Sequence, residues 1–544
     1  MAVSRLLSFQ NHNSESKALN HPIHGLPNEL LILIFKLTIE SESARLSYIS
    51  PSSTSTPSQS KPLVLAFVCR RWRSIILAIP DLWSHITITS VHEPRRFQRP
   101  LSIHLERSRG ASNGTQLTIR NDTVGSWNDT LAVLRLVALY SRELRSLKTR
   151  VLTSEMWDIL QLSSPLDSLC FPIPRSTSQL NTLNDSFRRS PLALASLREL
   201  AFPAADDIMV RGTLNCDLVS RLSGLPWNQI TSLEFATDRV DNFLTFLPAL
   251  RHLGIELVPT RHVRSEALVP IEIELGISSL KMSLAWEWAL SHTVVMDFFS
   301  NLSCPELHRL EIEHFGYQQK RVVHGIGLRE KLETFVDGLE AFMARSKCSE
   351  ALTHLVLTKV PLHDDGFVRV LRATCGVIYL SVQEPSDDYQ WIALDGVWIA
   401  RLCAPESVAS VILPDIKEFL LPNLRDLRIG VADKWWSKGI IIPTFERIIR
   451  SRSHTRVLHS AIIDLPTTAF PQPFSKVTDS ERFSLDRLKG LQRDERTAIK
   501  VVCGSRVLVG YENSKNNREY VESKEETRKG WVQRLSAFTS SFGK

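Results

Sequence analysis

The sequence predicts an α/β protein: a short helical module near the N-terminal end, then an irregular α/β solenoid of strand-and-crossing units. Three observations carry this expectation. Leu26 to Trp83 holds two strongly apolar helical segments separated by a polar run. A hexapeptide phrase, Leu-x-x-Leu-x-apolar, recurs from Leu166 to Ile429. Helical periodicities lie between several copies of the phrase, which gives the alternation of strand and crossing segment that repeat proteins use.

The module opens with Leu26-Pro27-Asn28-Glu29 and continues through an unbroken apolar run from Leu30 to Phe35. Pro27 suits a first helical turn, where no intrahelical N–H is needed, and Glu29 favours the positive end of the helix dipole. At about 100° per residue such a run covers the whole circumference of the helix, so every side needs cover. About 40 ordered residues are too few to supply it unaided, and the rest has to come from another domain or a partner. In the second helix Leu65, Val68, Cys69, Trp72, Ile75, Ile76 and Ile79 form one stripe, with Arg70, Arg71 and Arg73 mostly opposite. Periodicity leaves two readings open here, a docking module and an ordinary buried helix pair. Ser41 to Pro62 lies between the helices, is dominated by Ser, Thr and Pro, and reads as a loop acting as a plain spacer. Closure entropy grows only logarithmically with loop length, so the module tolerates it. Residues 1–21 read as a disordered lead-in.

The order of Leu26-Pro27, Glu29-Leu30, Ile34-Phe35, Val68-Cys69 with Trp72, and Leu82-Trp83 resembles the F-box family. The resemblance implies a three-helix module over residues 22–90, with the insert at 41–62. It also implies docking on the Skp-type adaptor of cullin-based ubiquitin ligases and, through it, on a cullin. By the same resemblance the adaptor-binding residues are Leu26, Pro27, Leu30, Ile34, Val68, Cys69 and Trp72.

Beyond the module, Leu101-Ser102-Ile103-His104-Leu105 alternates as a strand would. The hexapeptide then appears at Leu166/Leu169/Phe171, Leu197/Leu200/Phe202, Ile230/Leu233/Phe235, Leu250/Leu253/Ile255 and Ile277/Leu280/Met282. It continues at Leu307/Leu310/Ile312, Leu352/Leu355/Leu357 and Leu424/Leu427/Ile429. Its fourth and sixth positions share one face of a short strand. Leu328, Leu332, Phe335, Val336, Leu339, Phe342 and Met343 follow a helical period, and Asp364 is placed to cap a helix holding Phe367, Val370 and Leu371. The pattern resembles leucine-rich repeats in the loose form found in fungal F-box proteins. It departs from the regular form in its uneven spacing and in lacking the ladder asparagine, whose position holds Val258, Phe315, Val360 or Ala432. An α/β domain whose strands happen to begin with Leu-x-x-Leu fits the same residues. The expected repeat domain is 101–465, followed by a polar, partly disordered tail over 466–544.

Composition narrows the function. Residues 1–110 hold 13 Lys and Arg against 7 Asp and Glu, and residues 480–544 hold 14 against 9. The basic surplus therefore sits at the two ends, whereas a nucleic-acid-binding domain concentrates it on one folded face, despite the pI of about 9.0. No apolar run approaches a membrane span, and Met1 to Asn20 lacks the apolar core of a secretory signal. The scattered cysteines have neither metal-site nor disulfide spacing, which points to cytoplasm or nucleus. No phosphate-binding loop, dinucleotide fingerprint or nucleophile elbow is present, and His21 and His24 have no further ligand nearby. Trp391, Trp398 and the pair Trp435-Trp436 could line a recognition pocket, although core or rim packing explains them as well.

Together with these features, the F-box resemblance implies a non-enzymatic substrate receptor, expected to have no cofactor, metal, membrane or nucleic-acid partner. The module would hold the adaptor and the repeats an unknown target protein. A scaffold that does not direct degradation has the same sequence features. The target surface is expected on the outward strand positions Glu199, Glu234, Glu256, Glu311, Glu313 and Asp426, with Lys281, Arg309 and Arg428 on the same face. Such a face would steer a basic or mixed-charge segment, and a solvated strand face without a partner has the same pattern.

Overall fold

A computed structural model describes residues 22–40, 45–46, 61–88, 94–119, 127–140, 144–160, 165–174, 176–203, 216–237, 242–257, 273–285, 293–315, 328–360, 362, 364–383, 402, 420–431, 441–453, 458–465, 479–494, 497–503 and 506–509. The chain divides into two compact units, Met1–Leu307 and His308–Lys544.

The first unit begins with α1 (Asn28–Glu40), α2 (Lys61–Ala66) and α3 (Arg70–Ala78), closed by a 3-10 turn over Pro80–Trp83. Leu31, Phe35 and Ile39 recur one helical turn apart and meet Ala66, Trp72, Ile75, Ile76, Leu82 and Trp83 in a common core. Phe35 and Trp72 pack edge to face, with ring centroids 4.9 Å apart. Two parts of the expected 41–62 loop are regular. Arg45–Leu46 forms β1, parallel to β2 (His85–Ile88), and Lys61 and Pro62 open α2, where Pro62 occupies the first turn. The remainder of that insert and residues 1–21 lie outside the described residues.

The module runs into the strand array without a break, because Trp83, Ile86 and Ile88 repeat the spacing of the hexapeptide and are all buried. Leu101–Leu105 is not a strand. It belongs to α4 (Pro94–Arg107), in which Leu101, His104 and Leu105, followed by Ser108, form one buried helical stripe. The apparent alternation arose from Ile103, which is only half-buried.

The first unit continues with β3 (Thr115–Ile119), β4 (Leu144–Thr149), β5 (Ser168–Cys170), β6 (Glu199–Phe202), β7 (Ser232–Thr237), β8 (His252–Leu257), β9 (Ile273–Glu274), β10 (Ser279–Ala285) and β11 (Leu302–Ser303). β1 to β8, then β10, pair in parallel, each with its neighbour in that order, while β9 and β11 form a separate parallel pair. The register explains the hexapeptide: Leu200, Leu233, Leu253 and Leu280 are mutual partners along one rung, and Phe202, Phe235, Ile255 and Met282 along the next.

The second unit repeats the design in β12 (Arg309–Phe315), β13 (His354–Thr358), β14 (Tyr379–Gln383), β15 (Asp426–Gly430), β16 (Ser460–Leu465) and β17 (Ala498–Cys503). Leu310, Leu355, Leu380, Leu427, Ala461 and Ile499 form one buried rung. The helices expected from Leu328 and Asp364 are present as Leu328–Arg345 and Asp364–Arg372. A last strand, β18 (Arg506–Val509), runs antiparallel to β17. Strands of the two units thus run from Arg45–Leu46 to Arg506–Val509, on both sides of residues 101–465. The polar tail composition concealed a helix at Asp479–Asp494 and the alternation of Ile499, Val501 and Cys503. Residues 510–544 of that tail lie outside the described residues.

Candidate docking surface

α1 has two apolar sides. Leu31, Phe35 and Ile39 enter the core, whereas Leu30, Leu33, Ile34 and Leu37, at i, i+3, i+4 and i+7, are exposed. α2 and the turn after it present a second exposed apolar ridge, Val64, Phe67 and Val68, with Phe67 69% exposed. Isolated exposed apolar side chains are ordinary, but two neighbouring rows of them on one small module are the kind of patch that interaction surfaces use.

The expected adaptor-binding residues separate into groups on this scaffold. Leu30, Ile34 and Val68 are on the exposed stripes, Pro27 is exposed beside them, and Leu26 is half-buried. Trp72 is only 9% exposed and belongs to the core. Cys69 is half-buried and caps α3, its sulfur accepting the Trp72 N–H at 3.4 Å. Four exposed members, Leu33, Leu37, Val64 and Phe67, were not among the expected residues. The i, i+3, i+4, i+7 spacing from Leu30 was the available signal, obscured because the neighbouring core positions are equally apolar.

Arginines tie the three helices together at one end. Arg71 donates to the Leu26 carbonyl at 2.5 Å and to the Asn28 side chain at 2.8 Å, joining α3 to the start of α1. Arg73 donates to the Ala66 carbonyl at 3.1 Å, and its guanidinium lies 5.6 Å from the centre of the Phe67 ring. At the other end Asp81 accepts from Lys36 of α1 at 3.1 Å and from the Ser112 N–H and hydroxyl at 2.8 and 3.0 Å. Burial pushes the Asp81 carboxyl up, but the Ser112 and Lys36 donors outweigh that and hold it below its usual range. Trp83 donates to the Ile76 carbonyl at 2.8 Å and packs edge to face on His104 of α4. Module and first strands therefore share one core within the first unit.

The expected target-facing residues are distributed over both units. Glu199, Glu234 and Glu256 lie on the adjacent strands β6, β7 and β8, with Lys281 on β10. Glu199 and Glu234 are exposed, and the Glu234 side chain lies across β8, where a Cβ on Gly254 would come 2.8 Å from its Cγ. Glu311 and Glu313 are on β12 and Asp426 on β15. In this unit the charges are partly compensated: Arg309 pairs with Glu311, Arg428 with Asp464 at 2.6 Å, and Ser460 donates to Asp426. Lys148, Asp464 and Lys500 also belong to the strand array but lie in β4, β16 and β17, which the sequence pattern missed. In each unit the strand charges are mixed, less acidic than the hexapeptide copies suggested. Trp391, Trp398, Trp435 and Trp436 lie outside the described residues. Among the described residues no cluster of three or more His, Cys, Asp or Glu is placed to hold a metal, and no helix is long and apolar enough to cross a membrane.

Residues 23–89 match the F-box-like family model. No curated protein matches the sequence. Among solved structures, the chain is similar to the leucine-rich repeat-containing protein LegL7 from Legionella pneumophila, at 14% identity and a TM-score of 0.31, covering 67% of this chain and 90% of that one. It is also similar to a structure of the Rad7 and Elc1 complex in yeast, at 11% identity and a TM-score of 0.30, covering 85% and 97%. At those scores neither likeness bears on function.

Proposed function

We propose that this chain is the substrate-receptor subunit of a Skp–cullin–F-box ubiquitin ligase, of the fungal F-box and leucine-rich-repeat type. The module binds the adaptor, and the strand arrays bind a target protein. The chain itself is not an enzyme. It contributes by holding the target near the ubiquitin-charged enzyme, in the cytoplasm or nucleus, so catalysis comes from proximity. The observation that carries this reading is the pair of exposed apolar stripes on the segment that matches the F-box-like model. Apolar area of that kind gains about 25 cal/mol per Å² when a partner covers it.

Affinity purification of the full chain tests the reading. Adaptor and cullin are expected to co-purify with it. They are expected to be lost from a Leu33→Ser/Phe67→Ser variant and from a Leu26→Ala/Pro27→Ala variant, while the thermal transition stays within a few degrees. Recovery of neither adaptor nor cullin with the unaltered chain overturns it.

A further inference from the structure

The apolar stripes meet a concentration of positive charge at one end of the module. Arg71 reaches Leu26 and Asn28 at the start of α1, and Arg73 reaches Ala66 and the Phe67 ring at the end of α2, so the first turn of α3 joins the two ends from which the exposed stripes begin. Arg70 stands in that same turn, exposed, with no side-chain partner among the described residues. Against these guanidiniums the adjacent first turn of α1 offers only Glu29. The opposite end of α1 differs, because Lys36 there is paired with Asp81.

We infer that the module recognises a partner surface whose apolar groove is edged by carboxylates, and that Arg70 steers the encounter and fixes which way round the partner sits. This deepens the adaptor reading and rests on it. Arg71 and Arg73 already have structural duties in holding α1 and α2 to α3. Arg70 has none among the described residues, which makes its charge the one to test against a partner. Charges at the rim of an apolar interface act mainly on the association rate, through a field that salt screens, and only weakly on dissociation. An apolar face with a cationic edge also suits an anionic membrane surface. The F-box-like match favours a protein partner, and vesicles make the alternative a distinct outcome.

The test measures association and dissociation of the full chain with a purified Skp-type adaptor between roughly 0.05 and 0.5 M salt. For the unaltered chain the association rate is expected to fall about tenfold over that range. Arg70→Glu is expected to lower the low-salt rate by about tenfold and to flatten the salt dependence, with dissociation changed by less than about twofold. Arg70→Lys should retain most of the steering. Arg198→Glu makes the same change in net charge at an exposed position away from the module and should leave association within about twofold. An Arg70→Glu variant that binds with unaltered rate and salt slope overturns this inference alone. No adaptor binding by the unaltered chain overturns it together with the adaptor reading. Binding to anionic lipid vesicles that Arg70→Glu abolishes, without an effect on the adaptor, assigns the face to a membrane and also overturns it.

Discussion

Two imidazoles are held where charging them is costly. His104, against Trp83 in the first unit, and His314, on β12 in the second, are buried, and burial lowers both pKa values from 6.5 to about 4, with Lys359 adding to the effect at His314. The unfolded chain takes up these protons near pH 6.5, the folded chain only near 4. Stability that is complete above 6.5 is therefore lost as pH falls toward 4, by roughly 1.4 kcal/mol per histidine for each pH unit crossed. Thermal unfolding at pH 7 and pH 5 is expected to show the loss in both units, and His104→Gln is expected to reduce it for the first unit only. An unaltered slope in that variant would remove His104 from the account. None of this was legible in the sequence, where His104 occupied the polar position of an apparent strand. Trp72 illustrates the same limit, since the spacing that aligns it with the adaptor-binding motif is also the spacing that buries it against Phe35.

At the scale of elements, the strands that the sequence revealed are those with leucine or isoleucine at the phrase's first and fourth positions. Those it concealed carry substitutes the fold accepts equally well. β2 begins from Trp83, β14 from Val377, and β16 has Ala461 on the rung where its neighbours have Leu427 and Ile499. β4 ends its phrase in Thr149, which is buried but polar. The rung requires a buried side chain in register, and a search for leucine finds only part of that set. The connection into β15 depends on a contact no local pattern predicts. Arg452, fully buried at the end of the helix Ile441–Ser453, donates to the carbonyls of Leu402, Leu420 and Leu421 at 2.7, 2.7 and 2.9 Å. Leu421 has a φ of 52°, a conformation that L-residues rarely adopt and that the guanidinium helps to hold. Arg452→Leu leaves these carbonyls without their donor and is expected to cost the second unit about 2–4 kcal/mol in urea unfolding. Arg452→Lys should rescue little, because one ammonium cannot reproduce the guanidinium fork. Unchanged stability in both variants would refute this role.

For the whole molecule, the fold class was legible because its two periods are each sustained: the helical run from Leu30, and strands whose fourth and sixth positions stay apolar across many copies. The extent of the array and its division into two units were not, since both depend on which strands pair rather than on which residues alternate. The same holds for the end of the array. β17 would present an open parallel edge, and β18 covers it by running the opposite way. Truncation after Cys503 is expected to give concentration-dependent association in light scattering, while a full-length chain at equal concentration stays dispersed. An equally dispersed truncated chain would deny β18 that role. The reversal of β18 also bears on how the array could be lengthened. A parallel array lengthens by copying a unit at an edge that still takes a strand of the same direction, and β17 has surrendered that edge to a strand pointing backward. A parallel unit appended at this end would meet a strand pointing backward, whereas one inserted between existing strands would find the same direction on both sides.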